Sequence, residues 1–387
     1  MTVQDTLQAV RAHEDEFIAL RRDIHQHPEL PFEELRTSDL VAARLRDWGY
    51  HVERGLGGTG VVGQLKRGDG KRTLGLRADM DALPIQETTG LQYASRNQGV
   101  MHACGHDGHT AMLLAAAKVL AEQGDFSGTL NLIFQPAEEY GTSDCGAVRM
   151  INDGLFDKYP CDAIFSMHNM PGWPQGHLIF REGPMMASSD KVYITLVGHG
   201  GHGAVPHKTA DPVVAAASLV MALQTVVSRN VDPLQTAVVT VGVLQSGRAN
   251  NVIPDSAHLE LSVRALDSEV RSLLQQRITE IAHAQAQSFG VKAEIDYRRG
   301  YAALVNSKDE TDFARQIGTE LVGAERVVPQ APPLTGSEDF AFMLEKRPGC
   351  YLLIGNGDGD KLGACMMHNP GYDFNDANLA IGAAYWT

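Results

Sequence analysis

Residues 73–84 read TLGLRADMDALP, a short β-like run that ends on two aspartates, Asp79 and Asp81. The same order recurs twice: 129–140, TLNLIFQPAEEY, ends with two adjacent glutamates, and 163–171, AIFSMHNMP, carries a histidine near its end. In open α/β sheets, sites form at the carboxyl ends of the strands. Three strands that deliver carboxylates and a histidine to one edge therefore predict a functional site there.

Helical stretches separate these strands. The Ala/Leu-rich run His109–Glu122 is typical of a buried helix, and the first 30 residues and Ser38–Trp48 are also predicted to be helical. Strands that alternate with helices favour a mostly parallel sheet with helices on both faces, which is an α/β fold. The strands predicted for this part of the chain are Val61–Leu65, Thr73–Leu76, Thr129–Phe134 and Ala163–Met167.

The pattern changes after about Pro184. Residues 191–197, KVYITLV, alternate like a half-exposed strand, and the elements that follow give the order β-α-β-β-α-β of a ferredoxin-like α+β sandwich. We therefore predict an inserted domain over 187–298 that splits one α/β domain into the segments 1–186 and 299–387.

Composition excludes several classes of function. The 387 residues carry 33 Lys plus Arg against 47 Asp plus Glu, a net charge of −14, which argues against nucleic-acid and anionic-membrane partners. The longest apolar run, VVAAASLVMAL at 213–223, is shorter than the roughly 20 residues of a membrane span. The N-terminal residues lack the apolar core of a signal peptide, so we expect a cytoplasmic protein.

The densest group of reactive side chains is 101–110, MHACGHDGHT. Cysteine and histidine are the ligands that borderline transition metals prefer. In an extended loop, Cys104 and His106 point to the same side, whereas His106 and His109 share a face only if a helix has already begun. We interpret this cluster as part of a metal site rather than as solvated loop histidines.

The adjacent acids Glu138 and Glu139 suggest two different tasks. One carboxylate can bind a metal ion while the other acts as a general base toward water. Two exposed acids at a helix start, favoured by the helix dipole, are the plainer alternative. In the tail, His368 lies in a Gly- and Pro-rich loop, and Glu338 and Asp339 are either site residues or helix caps.

Taken together, these motifs resemble the M20 metallopeptidase family. The resemblance is carried in order by RADMDALP, MHACGHDGH, QPAEE, MHNMP, GHGGHGAVPH, NNVIPD, GSEDF and HNPGYDFND, and it covers nearly the whole chain. More narrowly, the chain looks like the amidohydrolase branch that holds hippurate hydrolases, N-acyl-L-amino-acid amidohydrolases and auxin-conjugate hydrolases. The family implies a di-metal catalytic domain with an inserted lid that also dimerises.

The resemblance also implies roles for single residues. The positions that match the family's metal ligands are Cys104, His106, Glu139, His168 and His368. Glu138 matches the general base, which takes a proton from water and returns it to the leaving amine, and Asp81 matches an aspartate behind the ligands. His102 and His109 match no ligand, and the family signature that contains His25 and Glu29 has no role that we can assign.

In the insert, His202 matches a family histidine that stabilises the oxyanion, often from the partner subunit of a dimer. Asn251 and Arg264 match positions that bind the substrate carboxylate, although a strand arginine paired with an acid remains the alternative for Arg264. The resemblance implies two divalent ions, Zn²⁺ or Mn²⁺ before Co²⁺ or Ni²⁺, a small N-acyl amino acid substrate, and a homodimer or higher homo-oligomer.

Three other functions stay open at this point. The motifs do not separate an amidohydrolase from a small-peptide carboxypeptidase or dipeptidase, or from a deacetylase of a biosynthetic intermediate. A metal-binding protein without turnover would lack the base Glu138, which is present here. Thiol chemistry at Cys104 with a histidine base would survive chelation by EDTA, whereas a metal-dependent reaction would not.

Overall fold

A computed structural model describes residues 2–387, which divide into two compact units. The first unit runs to Gly183 and resumes over Val305–Pro332 and Asp339–Thr387, and the second comprises Pro184–Leu304 and Pro333–Glu338. The division falls near the ends of the insert predicted over 187–298. That the insert serves as a lid and dimerisation domain stays a prediction.

The first unit contains an eight-stranded mixed sheet. The three central pairings are parallel, whereas its first two strands form an antiparallel hairpin that the sequence did not predict as a pair. In sheet order the strands are His51–Leu56, Gly60–Arg67, Gly128–Gln135, Thr73–Asp79, Ala163–Pro171, Gly349–Gly357, Leu178–Ile179 and Val327–Val328. The predicted α/β class is confirmed, with the parallel strands at the centre of the sheet.

The parallel strands position the site. Thr73–Asp79, Gly128–Gln135 and Ala163–Pro171 run side by side in the same direction, so their carboxyl ends meet at one edge. Almost every residue of these strands is buried, as expected for parallel strands covered on both faces. The polar residues that follow them are therefore brought together by strand pairing alone.

Helices cover this sheet, and the longest of them lies in the core. The nine helices of the first unit's described residues are Val3–Arg11, Glu14–Gln26, Leu35–Asp47, His106–Gln123, Gly146–Asn152, Leu155–Lys158, Lys308–Val322, Phe340–Leu344 and Asn378–Trp386. Three short 3₁₀ turns in the described chain cover Glu138–Tyr140, Pro206–Lys208 and Ala324–Arg326.

Three helices differ from the prediction, and the one predicted over Ser38–Trp48 begins earlier, at Leu35. The N-terminal helix is broken at Ala12 and His13, because Arg11 favours a helix end and the acids from Glu14 onward favour a new helix start. The core helix begins at His106 rather than His109, directly after Gly105, whose φ of 93° ends the preceding loop. This earlier start places His106 and His109 on one helical face.

The second unit is the predicted ferredoxin-like sandwich. Its four main strands are wholly antiparallel and lie in the order Ala237–Ser246, Ser256–Ala265, Asp190–Val197 and Lys292–Arg299. Helices Pro212–Asn230 and Ser268–Ser288 pack on this sheet and on each other, and their apolar faces form a separate core. The short strands Gly201–His202 and Val252–Ile253 pair with each other. The remaining described strands, Gly183–Met186 and Leu304–Asn306, form another short pair.

One helix of this unit meets the length and composition of a membrane span. Pro212–Asn230 has a mean hydropathy of 1.4 over its most apolar window, and 33% of that window is buried. One such helix is weak evidence, because core helices of globular proteins share this composition. Its buried residues, among them Ala216, Leu219 and Leu223, pack in the core of the second unit.

Candidate metal centre

All five predicted ligands and Glu138 converge at the carboxyl edge of the parallel strands. We call this group the metal cluster; it comprises Cys104, His106, Glu138, Glu139, His168 and His368. Potential ligand atoms lie within 4.8 Å of one another in the set Cys104, Glu139 and His368, and likewise in the set His106, Glu138 and Glu139. His168 joins them through Cys104, whose Sγ lies 3.4 Å from His168 Nε2.

His106 is oriented by Asp81. Its Nδ1 lies 3.1 Å from Asp81 Oδ1, while its Nε2 is buried and has no hydrogen-bond partner among residues 2–387. The nearest carboxylate to that nitrogen in the ion pairs is Asp79 Oδ2, at 3.7 Å. A histidine whose one nitrogen is held by a carboxylate and whose other nitrogen is free has the arrangement of a metal ligand.

His168 has the corresponding arrangement with a backbone partner. Its Nδ1 lies 2.6 Å from the carbonyl oxygen of Asn169, to which it can donate, and Nε2 is left toward Cys104. Burial, together with the neighbouring His109, holds the pKa of His168 well below its usual value. The imidazole therefore stays neutral, which is the form that binds metal.

Glu139 and His368 form a pair across the cluster. His368 Nε2 lies 2.9 Å from Glu139 Oε1. Burial, the largest single influence, opposes ionisation of Glu139, but the contact with His368 and the charge of His106 together outweigh it, so the pKa of Glu139 lies below the usual value. The hydrogen bond to Glu139 raises the pKa of His368. His368 has a φ of 63° and its backbone N–H donates to the Ala103 carbonyl at 2.8 Å, which brings the tail loop to the cluster.

These residues fit a pair of transition-metal ions. The free, buried Nε2 of His106 is a polar atom that the protein itself leaves unpaired. Thiol, imidazole and carboxylate donors together suit Zn²⁺ and similar borderline ions. Burial and the carboxylates of Glu139 and Glu138 raise the pKa of Cys104. A thiolate at this position therefore needs a bound cation to stabilise its negative charge.

Behind the cluster lie side chains that the sequence analysis named without predicting their supporting contacts. His109 Nδ1 lies 2.6 Å from Asp79 Oδ1, and its Nε2 accepts from the Asn169 backbone N–H at 3.0 Å. Both ring nitrogens are thus occupied, although Asp79 and His109 lie in a possible metal set with His106 and His168. This is consistent with a supporting role for His109 rather than a ligand role.

Arg77, the first residue of the motif RADMDALP, is a further supporting residue, to which the sequence analysis assigned no role. Its guanidinium is buried and donates to Asp79 at 2.7 Å, to Gln135 at 2.9 Å and to Asp339 at 3.0 Å. It therefore links two parallel strand ends to the start of helix Phe340–Leu344. Asp339 accepts these bonds instead of capping that helix with its side chain, which was the alternative from the sequence.

The N-terminal family signature packs near the same edge. His25 Nδ1 lies 2.8 Å from Asp107 Oδ2, next to the first residue of the core helix. Glu29 accepts hydrogen bonds from the backbone N–H groups of Arg36 and Thr37, at 2.7 and 2.9 Å. Glu29 thus satisfies open donors in the first turn of helix Leu35–Asp47.

The other three predicted residues belong to the second unit, and their relation to the cluster stays a prediction. His202 is exposed in the short strand Gly201–His202, and its Nδ1 accepts from the Ala204 N–H at 3.0 Å. The carbonyl of Asn251 accepts from Gly203, so Asn251 lies beside the same turn. Arg264 donates to the Ser337 hydroxyl at 3.1 Å, and burial lowers its pKa.

Comparisons with known proteins agree with these features. The profile of peptidase family M20/M25/M40 matches residues 75–387. Hippurate hydrolase of Campylobacter jejuni is 47% identical over 371 residues, covering 96% of this chain and 94% of that protein. N-acetyl-L-cysteine deacetylase of Bacillus subtilis is 40% identical over 374 residues, covering 96% and 86%. The structure of B. subtilis YXEP, described as a dinuclear metal-binding peptidase of the M20 family, superposes with a TM-score of 0.83 at 32% identity, covering 97% and 96%.

Proposed function

Since this chain belongs to the peptidase family M20/M25/M40, we propose that it hydrolyses the amide bond of N-acyl L-amino acids and releases a carboxylic acid and a free amino acid. Hippurate-type substrates, with an aroyl group on the amine, are the first candidates, because hippurate hydrolase is among its relatives. The observation that carries the proposal is the convergence of Cys104, Glu139 and His368 beside Glu138.

The metal cluster suits two divalent ions. The proposed ligands are Cys104, His106, Glu139, His168 and His368, and the resemblance to a dinuclear M20 peptidase supports the number. Zn²⁺ or Mn²⁺ is the first expectation for this donor set, followed by Co²⁺ or Ni²⁺. Such ions would supply a more acidic water and polarise the amide carbonyl.

Glu138 is the proposed general base. It is buried, 6% exposed, and it precedes the proposed ligand Glu139 in one short 3₁₀ turn. Glu138 takes a proton from the attacking water and passes it to the leaving amine, so one carboxylate serves both steps. Asp81 holds His106 through Nδ1 and holds the backbone of Glu139 at 2.8 Å, which fixes both ligands.

The second unit is proposed to supply the remaining groups. His202 donates to the developing oxyanion, in the active site of a partner subunit, and Asn251 and Arg264 bind the substrate carboxylate. The planar fork of Arg264 suits a carboxylate. We further propose a homodimer or higher homo-oligomer formed through this unit, and a cytoplasmic location, for which the charge of −14 and five free cysteines give general support.

A deacetylase is the second candidate. Its support is the relationship to N-acetyl-L-cysteine deacetylase, whose name describes removal of an acetyl group from an N-acetyl amino acid. The two candidates share the metal cluster and differ only in the acyl group accepted. They are therefore alternative specificities of one reaction.

One panel separates these candidates. Purified protein loaded with Zn²⁺, Mn²⁺, Co²⁺ or Ni²⁺ is assayed with N-benzoyl and N-acetyl derivatives of several amino acids and with dipeptides, and the released amine is measured. We expect N-acyl amino acids to be cleaved faster than dipeptides, with benzoyl derivatives fastest. Preference for dipeptides would replace this function with that of a peptidase.

A further inference from the structure

Glu34 lies five residues after Glu29 and contacts the turn that carries the paired glutamates. Its side chain is fully buried. Oε1 accepts a hydrogen bond from the backbone N–H of Ala137 at 2.8 Å, and Oε2 accepts one from the Thr59 hydroxyl at 2.5 Å. The residue thus links a distant segment of the first unit to the residue directly before Glu138.

The contact falls where the backbone has an unusual conformation. Ala137 has φ 51° and ψ 45°, a left-handed geometry that a residue with a Cβ atom rarely adopts. Such a conformation persists only when its surroundings fix it. The Ala137 carbonyl is held as well, because it accepts from the Gly146 N–H at 3.2 Å.

This conformation decides where the next two side chains point. Glu138 and Glu139 follow immediately, and the Glu139 N–H is bound by Asp81 Oδ2 at 2.8 Å. Two carboxylates therefore hold this turn. Glu34 binds the backbone N–H of Ala137, before the two glutamates, and Asp81 binds the backbone N–H of Glu139. Without the first hydrogen bond, Ala137 can relax and turn both carboxylates away from their positions.

Glu34 is itself fixed by the signature. It is the residue before helix Leu35–Asp47, and Glu29 binds the N–H groups of Arg36 and Thr37 in the first turn of that helix. The segment that contains Glu29 and Glu34 therefore has a structural connection to the site. Glu29 binds the first turn of the helix that follows Glu34, and Glu34 binds the Ala137 N–H.

We propose that Glu34 is a positioning residue for the metal cluster: by holding the Ala137 N–H, it sets the orientation of the general base and of one metal ligand. The effect on turnover rests on the proposed roles of Glu138 and Glu139. The effect on metal affinity is independent of which substrate the enzyme cleaves.

Two substitutions separate hydrogen bonding from charge. Glu34→Gln has the same length and keeps an amide oxygen for the Ala137 N–H, while its amide N–H can donate to Thr59. Glu34→Asp keeps the charge but shortens the side chain by one methylene group, so its carboxylate no longer reaches the Ala137 N–H. Glu34→Ala removes both bonds, and Glu33→Ala, at the adjacent exposed glutamate, is the matched control.

Zn²⁺ titration of metal-free protein by calorimetry is the first measurement, with the turnover of N-benzoylglycine at saturating Zn²⁺ as the second. For Glu34→Ala and Glu34→Asp we expect Zn²⁺ affinity at one site to fall about 10–100-fold, the size of effect seen for groups behind metal ligands. Turnover should fall while KM changes little. Glu34→Gln should stay within about fivefold of wild type, as for one altered neutral hydrogen bond.

A purely structural role would lower the melting temperature of Glu34→Ala but leave Zn²⁺ affinity per folded chain unchanged, and that result would overturn the proposal. The proposal would also be overturned if Glu34→Asp bound Zn²⁺ more tightly than Glu34→Gln. The charge of residue 34 would then matter more than the length of its side chain. If the wild type cleaves no N-acyl amino acid, the proposed function fails, whereas the Zn²⁺ titration still tests Glu34.

Discussion

The carboxylate of Asp81 lies 3.1 Å from Nδ1 of His106, and this contact leaves the buried Nε2 of the same ring without a hydrogen-bond partner in the described chain. The other Asp81 oxygen accepts the backbone N–H of Glu139 at 2.8 Å. A single aspartate thus orients two proposed ligands, one at the start of the core helix and the other in the turn that follows strand Gly128–Gln135.

The first prediction concerns Asp81. Asp81→Asn removes the charge that orients His106 and replaces one acceptor by a donor, so we expect divalent-metal affinity to fall about 10–100-fold. Metal titration of metal-free protein measures the effect. Asp69→Asn, at an exposed loop residue, is the control and should bind metal like the wild type. Unchanged affinity in Asp81→Asn would remove Asp81 from the site.

The second prediction separates the paired glutamates. Glu138→Gln should retain both metals yet lose about 10²–10⁴ in turnover, because an amide cannot accept the proton of water. Glu139→Gln should instead lose metal, because it removes the carboxylate charge of a proposed ligand whose Oε1 lies 2.9 Å from the proposed ligand His368. Metal content by mass spectrometry and turnover at saturating metal are measured for both variants. Loss of metal from Glu138→Gln alone would exchange their roles.

The third prediction concerns substrate binding by Arg264. Arg264→Ala should reduce kcat/KM for an N-acyl amino acid, because a carboxylate loses a charged, forked donor. The same substitution should matter far less for the matching N-acyl amino acid amide, which carries no charge there. Parallel kinetics on the two substrates give the comparison, and equal losses on both would indicate a structural role, as the Ser337 contact permits.

The fourth prediction tests whether His202 serves the active site of a partner subunit. His202→Ala and Glu138→Gln should each be inactive as homodimers. After mixing and subunit exchange, a heterodimer contains one intact site, so its activity should rise to about half of the wild-type value. Exchange is verified with two affinity tags. No recovery in verified heterodimers would mean that His202 acts within its own chain or not at all.

Much of the fold follows from short-range patterns. Apolar runs ending in Asp79, Glu138 and His168 gave the parallel strands, and alternation in 191–197 indicated the second sheet. The first residue of a helix was harder to predict, because the start at His106 depends on the positive φ of Gly105. Nothing in the single sequence shows whether a glycine uses that freedom.

The packing around the site could not be predicted for a related reason. Ala137 and His368 adopt positive φ without being glycines, so no residue type marks their turns. The Arg77–Asp339 pair joins residues 262 positions apart, a separation that local patterns do not encode. Likewise, the Glu34–Ala137 contact appears only once strand pairing has brought the two segments together.

Hydrolysis should depend on metal bound by the cluster around Cys104 and His106. The most direct test of this dependence is turnover of N-benzoylglycine during stepwise addition of Zn²⁺ or Mn²⁺ to protein stripped by EDTA, with bound metal measured in the same samples. We expect no turnover without metal and a rise in turnover that saturates when two ions per chain are bound. Full turnover in protein shown to be free of metal would contradict this expectation and would favour thiol chemistry at Cys104 instead.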